Sequence, residues 1–299
     1  MQKIKTRIIV IAVLIISSYK SHAQLNPLGA MYFQNQYLAN PAFAGMENEL
    51  NIGGIYRQQW SNIPGAPSLQ SLTADWGSSK RMGLGVSLNN DHSGLMRRTR
   101  AVASYAYHLP LSGNNDRLSF GLSLGVMDQR INYRDVDGDL TDVSIANYNN
   151  QGTYLDGDFG LAYTGNRLRV QAALPNLKSF FNTDDNSRNE IDRATWMGAA
   201  SYRLTLDKNT VGGMELEPKV VVRGVKNYDA IIDAGANLSF LNNTLNFQAM
   251  YHSTKNASFG VGMNFKKRLS ILGLYSSNTS AMTNVSNGTF EIGLRVKAF

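Results

Sequence analysis

The chain of 299 residues contains no cysteine, so no disulfide bond can stabilise its fold. A chain of this length does not need disulfides, because it can bury a large surface without them. Charge is also scarce. The formal net charge is +7, and the first 23 residues supply four of these charges with no acid, which leaves +3 for residues 24–299. A balance this small gives no basis for nucleic-acid binding, and we predict no nucleic-acid partner.

Long apolar runs are almost missing. The one continuous run is "IIVIAVLII" at Ile8–Ile16, which follows three basic residues and precedes the small-residue ending Ser21–Ala23. A membrane-spanning helix needs about 20 apolar residues, so this pattern predicts a signal peptide over residues 1–23, cleaved before Gln24. An uncleaved anchor is the alternative. Because no second run follows, a helical membrane bundle is excluded.

The rest of the sequence alternates between apolar residues and small or polar residues. Four examples are "MGLGVSLN" (82–89), "LSFGLSLGV" (118–126), "ASFGVGMNF" (257–265) and "FEIGLRVKA" (290–298). In a β-strand this period of two places all the apolar side chains on one face. The other face carries glycine, serine, asparagine and charged residues.

These strands also have the length and spacing of a membrane barrel. Strands of about nine to eleven residues joined by short polar turns are typical of transmembrane β-barrels, whose apolar face contacts lipid. We therefore predict an all-β fold: a transmembrane antiparallel up-and-down β-barrel of about 14 strands over residues 50–299. A soluble secreted β-sandwich is the alternative. The candidate strands span residues 50–60, 68–76, 82–90, 98–109, 116–131, 154–164, 167–174, 194–206, 215–225, 229–240, 244–252, 256–265, 269–277 and 288–298.

Several segments lie outside the regular strand pattern. Residues 24–49 form a short N-terminal non-barrel segment, interrupted by proline and glycine, which lies in the barrel mouth, plugs the lumen or extends into the periplasm. The longest connections, 132–153 and 175–193, are expected to face outward, because long loops of such barrels are extracellular. "LNNTL" (241–245) is predicted to be a short turn. Pro218 argues against the early part of the ninth candidate strand, since proline lacks a ladder donor.

The N-terminal part of the chain contains a series of unusual words: "YLANPAFAG" (37–45), "YRQQW" (56–60), "IPGAP" (63–67) and "GLGVSLNND" (83–91). In this order the words resemble the PorP/SprF family, and the resemblance extends as far as Val126. The family consists of outer-membrane proteins of the type IX secretion and gliding machinery of the Bacteroidota. The residues of these words that we take as candidates for partner contact are Asn40, Pro41, Gly45, Arg57, Trp60, Pro64, Gly65 and Pro67.

This resemblance implies both a place and a function. The protein would be integral to the cell outer membrane, in contact with its lipid, after cleavage near Ala23–Gln24. It would help to secrete, dock or anchor an adhesin-like partner at the cell surface, together with secretion-machine components. We hypothesise that the N-terminal segment and the long loops contact that partner. The alternative function is a channel or transporter for small or apolar solutes.

No pattern in the sequence indicates an enzyme, and we predict no catalytic residue and no cofactor. His92, His108 and His252 do not have the spacing of metal ligands. His92 with its neighbours Asp91 and Ser93 would not form a catalytic triad, because neighbouring side chains on a strand point in different directions.

Two charged clusters remain. Asp135, Asp137 and Asp139 alternate as in the first part of an EF-hand loop, but the glycine and glutamate that such a loop requires are missing. A solvated acidic turn is therefore the main expectation, and these three acids are weak candidates for calcium. "MRRTR" (96–100) is interpreted as a solvated or lumen-facing basic cluster, with a lipopolysaccharide or phosphate contact as the alternative.

Overall fold

The structure is a computed structural model in which fifteen strand segments form one antiparallel sheet that closes on itself. It describes residues 31–62, 64–79, 81–111, 116–132, 148–149, 153–178, 194–207, 212–225, 229–277 and 287–298. The predicted signal peptide and the three calcium candidates lie outside these ranges.

The strands follow the alternating segments of the sequence closely. They are β1 (Leu50–Gln59), β2 (Ser68–Ser79), β3 (Met82–Ser93), β4 (Met96–Pro110), β5 (Arg117–Ile131), β6 (Tyr154–Thr164), β7 (Leu168–Leu174), β8 (Ala194–Tyr202), β9 (Leu204–Asp207), β10 (Met214–Val225), β11 (Ile231–Phe240), β12 (Leu245–His252), β13 (Asn256–Phe265), β14 (Leu269–Ser276) and β15 (Thr289–Lys297). Each strand pairs with its neighbours in the chain, and β1 pairs with β15 to close the cylinder.

The segments β8 and β9 are two parts of one barrel strand, because both pair with β10. The fold is therefore a closed antiparallel barrel of 14 strands, which confirms the predicted fold class. Even strand numbers are the rule in bacterial single-chain barrels.

The expectation that Pro218 weakens the early part of its strand is wrong for β10, which runs unbroken from Met214. Instead, the interruption is in the neighbouring strand. Lys219 pairs with Ser201 and Leu216 pairs with Leu204, and the ladder is interrupted between them. Since proline has no amide hydrogen to donate, this gap opposite Pro218 separates β8 from β9.

The two faces of the barrel wall differ as the alternation predicts. The apolar side chains of the alternating segments point outward, and Leu122 and Leu124 remain 55% and 66% exposed. Serine, amide and charged side chains point inward and are buried, among them Asn89, Ser104, Ser123 and Gln248. No helix within the described part of the chain is long and apolar enough to cross a membrane.

The two ends of the barrel differ in the length of their connections. At the end where β1 begins, the strands are joined by short segments such as Leu241–Thr244, where Leu241, Asn242 and Asn243 have positive φ. The opposite end carries the long connections of 132–153 and 175–193. Because long loops of such barrels face outward, the end where β1 begins is the periplasmic end.

Candidate functional site

The lumen is occupied by the segment that precedes β1. Residues 31–49, here called the plug, lie against the inner wall, and Met31, Ala42 and Ala44 have no solvent exposure. Of the three positions predicted for residues 24–49, residues 31–49 take the one inside the barrel, and residues 24–30 lie outside the described ranges. Since a barrel of this size otherwise encloses an open interior, the plug divides the lumen.

Local sequence shapes the plug into two single turns of 3-10 helix, Gln36–Leu38 and Pro41–Phe43. Asn35 caps the first turn and Asn40 the second, each accepting a hydrogen bond from a backbone amide of the turn, Leu38 and Ala42 respectively. Pro41 suits the first position of a turn, where no amide donor is needed. The "NPAF" word is therefore a capped turn.

Asn40 also anchors the plug to the wall. Its Nδ2 lies 3.1 Å from the Leu161 carbonyl oxygen and 3.2 Å from both Gln171 Oε1 and the Ala172 carbonyl oxygen. Its Oδ1 accepts from the Ala42 amide at 2.9 Å. The side chain is completely buried, so its polar atoms need hydrogen-bond partners inside the barrel.

Near the outer end, Tyr32 joins a charged cluster that we call the outer clasp: Tyr32, Arg223, Asp233 and His252. The Tyr32 hydroxyl donates to Asp233 Oδ2 at 2.5 Å, and Arg223 Nη2 lies 2.9 Å from the same oxygen. His252 Nδ1 donates to the other carboxylate oxygen at 2.8 Å. Burial raises the pKa of Tyr32 well above its ordinary value, with Arg223 opposing and Asp233 adding to the shift. The hydroxyl therefore keeps its proton as a donor.

Midway along the lumen, the plug is held by neutral hydrogen bonds. The Tyr37 hydroxyl lies 2.9 Å from Ser104 Oγ, and Asn35 Nδ2 donates to Thr73 Oγ1 at 3.0 Å. Burial raises the pKa of Tyr37 to about 12. Closer to the periplasmic end, His108 Nε2 donates to the Ala44 carbonyl oxygen at 3.0 Å. Ser104 and His108 stand on β4 and Thr73 on β2, so these bonds hold the plug against one side of the wall.

At the periplasmic end, Glu47 forms an ion pair with β15. Its carboxylate oxygen Oε2 lies 2.7 Å from Lys297 Nζ and 3.6 Å from Arg295 Nη2. Burial alone would raise the pKa of Glu47, but Arg295 and Lys297 outweigh it and lower the pKa. Arg117 adds a hydrogen bond to the Met46 carbonyl oxygen at 3.1 Å. This end of the plug thus depends on charge.

Glycines in the wall make room for the plug backbone. A Cβ atom at Gly83 would overlap the Ala44 carbonyl, and one at Gly121 would overlap the backbone of Pro41 and Ala42. Beyond these close approaches, three apolar clusters link plug and wall, centred on Met31, Tyr32 and the second turn. The inner face is therefore apolar where the plug packs, although the alternation predicts small and polar residues throughout.

In the described part of the barrel, a cavity lies on each side of the plug. The outer cavity is small, about 100 Å³, and its wall includes Arg100, which forms ion pairs of 2.8 Å with Asp156 and Asp158. The inner cavity is about 710 Å³ and opens at the periplasmic end beside Lys266 and Lys267. Arg100 of the "MRRTR" word is thus lumen-facing and paired.

The residues proposed from the sequence fall into two groups. Asn40, Pro41 and Gly45 belong to the plug and are buried, and the Gly45 amide donates to Asp75 Oδ2 at 3.1 Å. The other five residues lie near the outer end of β1 or in the turn that follows it. Arg57 is buried on β1, Trp60 is half-buried, Pro64 and Gly65 are exposed, and Pro67 is buried.

Sequence reasoning missed the outer clasp entirely. Tyr32 and Asp233 are 201 positions apart, and no local pattern connects them. Asp233, His252 and Ser258 form a hydrogen-bonded series like a Ser–His–Asp triad, with 2.7 Å between His252 Nε2 and Ser258 Oγ. That serine is 2% exposed, and its Oγ lies 2.6 Å from Ser276 Oγ. Within the described residues, no group of three histidines or acids is arranged to hold a metal ion.

A closed 14-stranded barrel with an apolar outer belt defines an integral outer-membrane protein. Comparison with protein families then gives the particular family. The chain matches the type IX secretion system membrane protein PorP/SprF over residues 21–296 and belongs to this family. A comparison with curated proteins finds no significant match.

Solved structures show the same architecture. The chain is similar to the CymD monoaromatic hydrocarbon channel, with 13% identity, a TM-score of 0.50, and coverage of 94% of this chain and 95% of that chain. It is also similar to the outer membrane protein Omp33 of Acinetobacter baumannii, with 9% identity, a TM-score of 0.49, and coverage of 85% and 100%. At 13% identity, the similarity to CymD concerns the fold alone.

Proposed function

We propose that this outer-membrane protein of the type IX secretion system is a docking barrel that holds a secreted, adhesin-like protein at the cell surface. The observation that carries this proposal is the plugged lumen. Residues 31–49 divide the interior and bind the wall near both ends and in the middle. A barrel divided in this way offers its outer rim to a partner and leaves little room for solute flow.

The outer rim supplies the surface for contact. The turn between β1 and β2 presents exposed Pro64 and Gly65, and the Gly65 carbonyl oxygen accepts from the Gly94 amide at 2.9 Å. Trp60 has a positive φ of 45°, an unusual conformation for a large residue. This rim, together with the connections at the same end, is the proposed partner site. Secretion-machine components would bind the same barrel.

In this proposal the family-like residues that lie in the plug have a structural role. Asn40, Pro41 and Gly45 hold the plug in place and keep the lumen closed, while Trp60, Pro64 and Gly65 face the partner. The hydrogen-bonded series of Asp233, His252 and Ser258 serves the outer clasp, and we propose no enzymatic role.

Two variants separate docking from transport. The first deletes residues 31–46 and is expected to convert a silent barrel into one that carries steady ion current in planar bilayers. The second, Trp60→Ala with Pro64→Ala, is expected to stay silent in bilayers but to lose surface display of the adhesin-like partner, measured by antibody on intact cells. Heat-dependent mobility in electrophoresis confirms that both barrels are assembled.

The opposite results favour a channel. If the unaltered protein conducts steadily and prefers particular solutes, while the rim variant displays the partner normally, the docking proposal is wrong. The solute-transport alternative would then account for the barrel.

A further inference from the structure

The inner cavity has a chemistry that the plug does not use. We call this cavity, about 710 Å³ between the plug and the periplasmic opening, the periplasmic vestibule. Its size lies within the range of ligand-binding pockets in proteins. One side is the inner face of β11 to β14, and the plug residues Phe33 and Gln34 form part of the lining.

Amide side chains form a ladder on this wall. Asn237 on β11 is paired with Gln248 on β12, and Ser239 is paired with Asn246. Three of them are hydrogen-bonded to each other: Asn237 Nδ2 donates to Ser239 Oγ at 3.0 Å, which donates to Asn246 Oδ1 at 2.9 Å.

Two hydrogen-bond acceptors on this ladder have no donor among the described residues. Gln248 is 8% exposed, and its Oε1 accepts no hydrogen bond from the described residues. Asn237 is paired with Gln248 across the two strands, and its Oδ1 also accepts no hydrogen bond from the described residues. A buried acceptor without a donor costs free energy, so this wall is suited to a ligand that brings N–H groups.

The opening of the vestibule has a basic edge. Lys266 and Lys267 stand exposed in the turn between β13 and β14, with φ of 48° and 58°, and no ion pair is seen for them among the described residues. Six cationic side chains line the vestibule against three acidic ones. The acids Glu47 and Glu217 already face Lys297 and Arg169 at 2.7 and 4.0 Å. The exposed positive charge of the lining is therefore concentrated at the lysine turn, whereas Arg203 is half-buried.

We infer that the periplasmic vestibule binds an extended acidic polypeptide segment that enters from the periplasm. Its backbone N–H groups meet Gln248 Oε1 and Asn237 Oδ1, and its carboxylates meet the lysine turn. Peptide recognition commonly combines main-chain hydrogen bonds with charge at one end. The plug closes the far side, so the segment docks without crossing the lumen. The inference rests on the proposed docking function and adds a second, periplasmic site to it.

The test measures binding of defined peptides to the full mature protein in detergent. The probe is a dye-labelled decapeptide of alternating Asp and Ser, compared with one of alternating Lys and Ser, and fluorescence anisotropy reports binding. We expect saturable binding of the Asp peptide and none of the Lys peptide. Gln248→Leu is expected to weaken binding about tenfold, the usual effect of one buried hydrogen bond.

Matched variants at the outer end serve as controls. Gln129 has the same side chain and the same 8% exposure as Gln248 but faces the outer part of the lumen, so Gln129→Leu should bind normally. The exposed pair Lys266→Glu with Lys267→Glu, which leaves the wall intact, should abolish binding, whereas Lys255→Glu at the outer turn should not. Heat-dependent mobility shows whether each variant is assembled.

Three outcomes would overturn the inference. They are equal binding by all variants, absence of binding by the unaltered protein, and equal competition by free succinate, which would indicate a general anion site. Partner display on cells is measured in parallel. If display persists where no peptide binds, docking at the outer rim stands and only the vestibule inference fails.

Discussion

At the scale of the residue, Asn40 carries more of the plug's attachment than any neighbour in its turn. Four polar protein atoms lie within 3.2 Å of its side chain, and they come from the plug and from two wall strands. A single amide therefore connects the capped turn to β6 and β7. Serine or aspartate would cap the turn equally well, but neither supplies the Nδ2 donor.

Asn40→Ala is expected to loosen the plug while the barrel stays assembled. Removing the amide strands buried acceptors, which costs about 1–3 kcal/mol and should raise plug opening about 5- to 150-fold. Chymotrypsin cleavage beside Tyr37 and Phe43, in protein reconstituted into vesicles, measures that opening. The control Asn90→Ala removes an exposed asparagine of β3. Equal cleavage of both variants would contradict this role.

Gly121→Ala tests the close approach of plug and wall. The added methyl group would overlap backbone atoms of Pro41 and Ala42, which cannot rotate aside, so the second turn must leave the wall. We expect the variant to conduct ions in planar bilayers where the unaltered protein is silent. Gly273→Ala is the matched control, because a Cβ there meets no atom within 4 Å. A silent Gly121→Ala barrel would show that the plug can shift without opening the lumen.

At the scale of the element, the plug has one attachment that responds to acid. The pKa of Glu47 is lowered below its ordinary value of 4.5, because Arg295 and Lys297 outweigh the effect of burial. A lowered pKa means that the carboxylate stabilises the folded plug above pH 4.5 and that this stabilisation is lost as the pH falls through the folded pKa. The periplasmic end should therefore loosen first under acid conditions.

Glu47→Gln is expected to remove this acid response. In the unaltered protein, chymotrypsin cleavage beside Phe43 should increase as the pH of a pre-incubation falls below 4.5. In the variant, cleavage should already be higher at pH 7 and should change less with acid, because the ion pair is absent at every pH. Parallel acid profiles for the two proteins would assign the transition to other groups.

The strands themselves were predictable, whereas the plug was only one of three positions that the sequence allowed for the N-terminal segment. Period-two alternation determines which face of a strand is apolar, so the lipid-facing sets of β3, β5, β13 and β15 follow from the sequence alone. The plug is held by single contacts to distant strands, such as Tyr32 with Asp233 across 201 positions. A sequence read along its length cannot reveal such pairs. The gap between β8 and β9 could not be predicted either, because it depends on Pro218 of the adjacent strand.

At the scale of the whole molecule, the barrel has an apolar belt outside and a polar, charged interior. The position of this belt in the bilayer can be tested by placing one long charged side chain in it. Val86→Arg, near the middle of β3, should lower the free energy of unfolding in vesicles by about 2–4 kcal/mol, the cost of a basic side chain at the bilayer midplane. Thr99→Arg, near the outer end of β4, should cost about 0–1 kcal/mol.

Urea titration in vesicles, followed by tryptophan fluorescence, measures both values. Equal costs for the two substitutions would mean that β3 does not face the bilayer core at Val86. That result would contradict the lipid-facing assignment of the whole alternating set.

The pairing of β1 with β15 has a consequence for how the protein is made. The first strand finds its partner only after the last strand has been exported, and pairing between such distant segments is slow. The plug precedes β1, yet its ion pair with Lys297 and its contact with Asp233 require strands from the second half of the chain. The segment that is synthesised first in the mature barrel is therefore among the last to reach its final position.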